Sequence, residues 1–268
     1  MALVRVGDVE LDVERGGEGP PLLLIMGMSG TALHWGEPFL EHLRRDFDVI
    51  AYDHRGVGAS SQLADGGVSI AQMAEDAAGL LAALELDSVH VMGISMGGMI
   101  AQELVLAHPE LVRTLTLGCT YSGGEGSSLA PPEVIGKLSE AMMSGDRERA
   151  IRCGWEVNVS ERFAGDPDQW GAFAAIAARR AVALPVIMAQ MQAIAVHDTS
   201  ARLPSIEVPT LVIHGTVDQM LPVANGRMIA SLIDGSQLEV LDGVGHLFFW
   251  EQPERSAEMV RAHAAVRA

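Results

Sequence analysis

Apolar and polar residues alternate at the start of the chain and then stop alternating. Leu3-Val4-Arg5-Val6 and Val9-Glu10-Leu11-Asp12-Val13 switch between the two types around a Gly7-Asp8 turn, which predicts two strands. Gly16-Gly17-Glu18-Gly19-Pro20 reads as a loop. Leu22-Leu23-Leu24-Ile25 is continuously apolar, as a central parallel strand buried on both faces must be. Val49-Ile50-Ala51-Tyr52 and Val89-His90-Val91-Met92 repeat that pattern, and Leu115-Thr116-Leu117 adds another strand. Between them, Ser69 to Leu84 has helical spacing with Ser69 as N-cap, and Met96 to His108 reads as a second helix. Strand and helix in alternation predict a parallel sheet with right-handed crossovers.

The rhythm breaks near Tyr121. Ser122-Gly123-Gly124-Glu125-Gly126-Ser127-Ser128 is a loop, and from Pro131-Pro132 to about Arg202 the spacing is helical, without a clear strand. The strand pattern resumes at Thr210-Leu211-Val212-Ile213 and Leu238-Glu239-Val240-Leu241, and a helix begins near Pro253. The prediction is an α/β core over 1–121 and 203–268, interrupted by a helical cap over 122–202. A helical insertion of about 70 residues exceeds an ordinary loop, which points to a lid.

One motif sits where the rhythm is strongest. Gly93-Ile94-Ser95-Met96-Gly97 follows an apolar strand and opens a helix, the context in which Gly-x-Ser-x-Gly carries a nucleophile on a tight turn. A serine hydroxyl attacks only when a base takes its proton. Of nine histidines, His246 is best placed, in the loop Asp242-Gly243-Val244-Gly245-His246 directly after a strand. His54 lies upstream, His90 is inside a strand, His108 closes a helix, and His214 precedes the acid candidate. His34, His42, His197 and His263 have no supporting pattern. Asp218, in Gly215-Thr216-Val217-Asp218 after a strand, is the carboxylate expected to orient the imidazole. Asp242 and Asp234-Gly235 read as turns.

Composition narrows the partners. A net charge of −17 argues against nucleic acid and anionic membranes, and the N-terminus lacks a signal-peptide pattern, so a cytoplasmic protein is expected. Two cysteines, Cys119 and Cys153, make no disulfide framework and carry no metal-ligand spacing.

With these positions in hand, the sequence resembles the α/β-hydrolase superfamily over nearly its whole length. The stretches that carry the likeness are Leu24 to Met28, Tyr52 to Ser60, Gly93 to Gly97, and the Asp218 and His246 loops. It is most similar to capped bacterial esterases, enol-lactonases and aclacinomycin methylesterase-type enzymes. The resemblance implies a mostly parallel eight-stranded sheet flanked by helices, with an inserted cap. It also implies an oxyanion hole built from the backbone N–H groups of Met28 and Met96. The family usually has His-Gly where this chain has Met26-Gly27, and its Asp53-His54-Arg55 stretch is mainly structural. Serine at position 95 separates the chain from epoxide hydrolases and haloalkane dehalogenases of this fold, which use aspartate.

The expected chemistry is attack by Ser95 on a carbonyl, His246 as base, Asp218 as its holder, and an acyl-enzyme hydrolysed by water, with no metal or organic cofactor implied. Fourteen methionines are many for this length, and the residues expected to line an apolar pocket are Gly27, Met99, Met142, Trp155, Met188 and Met191. The partner is a small-to-medium ester or lactone, and a homodimer stays open. A lactonase, a C–C bond hydrolase or a cofactor-free haloperoxidase would use the same triad. A non-catalytic small-molecule receptor is the alternative of another class.

Overall fold

A computed structural model describes residues 2–63 and 67–267; the outer bounds expected for the core, Met1 and Ala268, fall outside them. Eight strands make one sheet: β1 (Ala2–Val6), β2 (Val9–Gly16), β3 (Pro21–Ile25), β4 (Asp48–Tyr52), β5 (Val89–Ile94), β6 (Val112–Gly118), β7 (Thr210–Gly215) and β8 (Gln237–Leu241). Their spatial order is β1-β2-β4-β3-β5-β6-β7-β8. β1 and β2 are antiparallel to their neighbours, and every pairing from β4 to β8 is parallel.

The unbroken apolar runs have a simple reason. Successive strand residues point to opposite faces, so a strand covered on both sides must be apolar at every position. Leu23 and Ile25 join Ile50, Val91 and Leu117 in one core, whereas Leu22 and Leu24 join Val49, Met92 and Ile213 in the other. Helices α1 (Glu37–Leu43), α2 (Ile70–Ala83) and α3 (Met96–Ala107) fill the first crossovers. α2 and α3 cover the first core, and α1 covers the second. Ser69 caps α2, its Oγ accepting the Gln72 N–H at 3.1 Å. His90 is a core residue, its ring paired across the sheet with the Thr114 hydroxyl at 2.9 Å.

Five helices lie between β6 and β7: α4 (Pro132–Met143), α5 (Arg147–Asn158), α6 (Glu161–Ala164), α7 (Pro167–Arg179) and α8 (Leu184–Ala195). After β7 come α9 (Ala224–Leu232), then, beyond β8, α10 (Phe248–Glu251) and α11 (Pro253–Ala264). The insertion meets the core through an aromatic cluster, Trp155 and Phe173 against Trp250, with ring centroids 5.7 and 5.6 Å apart. A guanidinium adds a second joint. Arg180 Nη1 lies 2.5 Å from Asp12 and 2.9 Å from Asp53, both buried. No single described helix is long and apolar enough to cross a membrane.

The stretch after β4 is held by a buried pair. Arg55 donates to Asp76 on α2 at 2.6 and 2.5 Å, with both side chains less than a tenth exposed. Removing one member leaves the other charge uncompensated, so Asp76→Ala is expected to lower unfolding free energy by about 3–5 kcal/mol. Asp8 lies 3.8 Å from the same guanidinium but is mostly exposed, and Asp8→Ala should cost under about 1 kcal/mol. Urea denaturation of the two variants checks the contrast.

Candidate active site

The C-terminal end of β5 turns into α3 within one residue. Ser95 is that residue, with φ 56° and ψ −124°, a conformation non-glycine residues rarely adopt. The turn closes because nothing intrudes. A Cβ on Gly93 would lie 2.2 Å from Gly97 O, and one on Gly97 would lie 2.0 Å from Ile25 O. Four hydrogen bonds fix the serine backbone: its N–H donates to Gly118 O at 3.0 Å, and its carbonyl accepts from Thr120 Oγ1 at 2.6 Å, Gly98 N at 2.9 Å and Met99 N at 3.2 Å. From Val91 to Ile100 only Ser95 is not buried. The motif therefore presents one hydroxyl at the mouth of an otherwise sealed segment.

His246 and Asp218 come from the loops after β8 and β7. Asp218 Oδ2 lies 2.7 Å from His246 Nδ1. A carboxylate only accepts, so Nδ1 carries the hydrogen and Nε2 keeps its lone pair. Asp218 Oδ1 accepts the N–H groups of Met220 and Leu221 at 2.8 and 2.9 Å, which fixes the carboxylate plane. Burial alone would raise this carboxyl. The His246 charge and the hydrogen bonds from His214 and His246 outweigh it and hold the group well below the usual carboxylate range. Cys119, at the end of β6, links this pair to the serine turn. Its Sγ and the facing atoms of Asp218 and His246 lie within 4.8 Å of one another, and it follows Gly118, which receives the Ser95 N–H.

His214 was set aside in sequence because it precedes Asp218, yet it belongs to this cluster. It is fully buried on β7, with Nε2 3.3 Å from Asp218 Oδ2 and 2.8 Å from Leu221 O. Since Leu221 O only accepts, Nε2 bears the hydrogen, and the orphaned Nδ1 faces the space left by Gly226. The spacing of four between His214 and Asp218 was the available signal. Cys119, Asp218 and His246 could together offer donors to a cation. Burial, followed by the Asp218 charge, pushes the Cys119 thiol far up, so such a site would have to draw a proton from a resistant group.

The loop after β3 runs beside the serine. A Cβ on Gly27 would lie 3.1 Å from Ser95 Cβ and 3.7 Å from its Oγ. Met28 follows at the loop tip, its N–H without a backbone acceptor among the described residues. Met96 is the first residue of α3, where an N–H has no acceptor within its own helix. In this loop the Met26 carbonyl accepts from His54 Nε2 at 2.8 Å. Asp53 Oδ1 accepts the Ala32 N–H at 2.7 Å, so the Asp53-His54 pair braces this loop.

The expected pocket residues are scattered. Met99 is in the core beneath α3 and is 1% exposed. Trp155 is fully buried, packed on Phe163, Phe173 and Trp250. Met142, Met188 and Met191 are exposed. On α8 the buried positions are Val186, Gln190 and Ala193, one helical stripe, which leaves Met188 and Met191 on the other side. Of the six, Gly27 adjoins the Ser95 side chain and Met99 donates its N–H to the Ser95 carbonyl at 3.2 Å. Methionine content does not tell the buried Met99 from the exposed Met142, Met188 and Met191.

Two polar residues unremarked in sequence tie the insertion to this end of the sheet. Glu251 Oε1 accepts the N–H of Gly245, beside His246, at 2.7 Å and that of Ser160 at 2.8 Å, and Oε2 accepts from Ser160 Oγ at 2.5 Å. Gln190 Oε1 accepts the Ser29 N–H at 2.9 Å. Nothing in the pattern marks Glu251; Gln190 is marked by lying on the buried stripe of α8.

The elbow, the two loops and the parallel sheet define a class. The chain belongs to the alpha/beta hydrolase fold family, whose model matches residues 20–151 and 161–253. It is similar to RutD of Azorhizobium caulinodans, provisionally named a carbamate hydrolase, at 30% identity over 97% of each chain. Among solved structures it is similar to the esterase RhEst1 from Rhodococcus, at 26% identity over 99% of this chain and 98% of that one, with a TM-score of 0.84. It is also similar to Est816, an N-acyl homoserine lactone degrading enzyme, at 29% identity over 97% of this chain and 99% of that one, with a TM-score of 0.77.

The Asp218 carboxyl carries a measurable expectation. Its folded-state pKa is depressed, so its contribution is complete above the ordinary carboxylate pKa near ~4 and is lost as pH falls toward the folded value. Asp218→Asn should therefore lose about 1.5–3 kcal/mol at neutral pH. The same variant should show a flatter dependence of stability on pH below about 4, measured by urea titration at a series of pH values.

Proposed function

We propose that the protein is a carboxylic ester hydrolase acting through an acyl-enzyme. The observation that carries this reading is the short Asp218–His246 hydrogen bond, which leaves Nε2 as an acceptor at the sheet end where Ser95 is presented. In the proposed cycle His246 Nε2 takes the Ser95 proton as Oγ attacks the ester carbonyl. The oxyanion is received by the N–H groups of Met28 and Met96, helped by the positive end of the α3 dipole. The tetrahedral species expels the alcohol, which takes the proton from His246. Water, deprotonated by the same imidazole, then releases the acid and restores Ser95. No step calls on a cofactor.

The substrate reading is a small-to-medium uncharged ester, with the insertion over 122–202 acting as its lid. Lactones are the second reading, favoured by the likeness to Est816, since ring opening uses the same attack. The acidic net charge suits a small neutral substrate better than a polyanion.

Ser95→Ala should abolish labelling by a fluorophosphonate probe and lower p-nitrophenyl acetate hydrolysis by at least about 1000-fold while leaving the melting temperature close to wild type. Equal labelling of the variant would sink the nucleophile assignment. A series of p-nitrophenyl esters of rising acyl length, run beside simple lactones, separates the two substrate readings.

A further inference from the structure

β7 ends with a buried histidine to which the proposed cycle gives no task. Successive residues of the strand face opposite cores, and His214 stands on the face it shares with Val212, the side covered by α9. Gly226 on α9 makes room for the ring: a Cβ there would lie 2.6 Å from Nδ1 and 3.0 Å from Cγ. The ring is fully buried, and Nδ1 has no partner among the described residues. An apolar side chain in this place would avoid that cost. What the position keeps by being histidine is the hydrogen on Nε2.

That hydrogen goes to the turn that carries Asp218. Nε2 donates to Leu221 O at 2.8 Å and lies 3.3 Å from Asp218 Oδ2. Leu221 is thereby gripped at both ends, because its own N–H donates to Asp218 Oδ1 at 2.9 Å. The rest of the turn has little apolar anchorage, with Val217 and Gln219 both exposed. The last torsion of an aspartate is broad and roughly two-fold, so partners decide which oxygen faces which way. Oδ1 is held by the Met220 and Leu221 N–H groups. Oδ2, which faces His246 Nδ1 at 2.7 Å, has the His214 N–H edge behind it. Burial works to raise this carboxyl, and the His246 charge and then the His214 N–H lead what pulls it down.

We propose that His214 is a positioning residue: by tying Leu221 back to β7 and setting its N–H edge behind Oδ2, it fixes the carboxylate that aligns His246. It acts on the Ser95 chemistry only through Asp218. One carboxylate oxygen thus meets two imidazoles, one that moves a proton and one that keeps its own. This inference rests on the ester-hydrolase reading and on the Asp218–His246 pair.

The test compares wild type, His214→Leu and His214→Gln in kcat and KM on p-nitrophenyl acetate and in fluorophosphonate labelling rate, with the labelling repeated in an Asp218→Asn background. Glutamine brings an amide N–H to a reach similar to that of Nε2, whereas leucine has no donor. His214→Leu should lower kcat and labelling rate by about 10- to 100-fold, the scale of a small misplacement of a reacting group, with KM within about 3-fold. His214→Gln should recover kcat to within about 5-fold of wild type. Where Asp218→Asn has already removed the aligned anion, His214→Leu should change the labelling rate by less than about 2-fold, since groups that act as a unit are not additive. His214→Met replaces the leucine variant if that one fails to fold. The proposal is overturned if His214→Leu keeps its kcat, if its defect lies in KM, if glutamine is as damaging as leucine, or if the loss is as large in the Asp218→Asn background. Absence of label on the wild-type protein would instead overturn the ester-hydrolase reading, and the positioning role with it.

Discussion

At the C-terminal edge of the sheet, backbones touch without side chains between them, and the site depends on that contact. A Cβ at Gly97 would strike the carbonyl of Ile25, and one at Gly93 would strike that of Gly97. A Cβ at Gly215 would lie 2.1 Å from Val244 O, and one at Gly245 would lie 2.7 Å from the carbonyl carbon of Val159. These positions are where β5 turns into α3, where β7 runs beside the His246 loop, and where that loop meets the insertion. Packing interiors are dense and transmit displacement rather than absorbing it. Ser95 and the His246 loop are therefore located by main chain against main chain, which leaves little room for displacement.

Much of this was legible in sequence because it follows from periodicity. Strands β3, β5 and β7 read as unbroken apolar runs since each serves two cores at once, and Ser69 marked the start of α2 because its hydroxyl is needed by an orphan N–H. Ser95, Asp218 and His246 were legible through local context, each at the end of a strand. α1 and α9 were not read, being short helices with few buried positions. The role of His214 was hidden by an argument from chain order, which says nothing about a residue that touches the carboxylate from behind. Glu251 and Gln190 act across 91 and 161 residues, and no local pattern encodes such a pairing. The pocket expectation rests on methionine count, which measures apolarity and not direction.

The insertion is joined to the core by contacts of different physical kinds. The Trp155, Phe173 and Trp250 cluster is non-directional and tolerates small shifts, whereas the Glu251 and Gln190 hydrogen bonds and the Arg180 ion pairs are lost over a fraction of an ångström. Burial raises the Asp53 carboxyl, and the Ala32 N–H and Arg180 offset this only in part. Two of the joints end on peptides of the candidate site, Gly245 beside His246 and Ser29 beside Met28.

The exposed run from α4 into the first turns of α5 stands apart from these joints. Over residues 132–149 only Val134 and Ala141 are buried. Such a stretch buries little apolar surface and contributes little to folding free energy. The insertion therefore has unequal tolerance along its length: a segment around Trp155 locked among aromatic rings, and a preceding surface segment where substitutions are expected to leave the packing of the core unchanged.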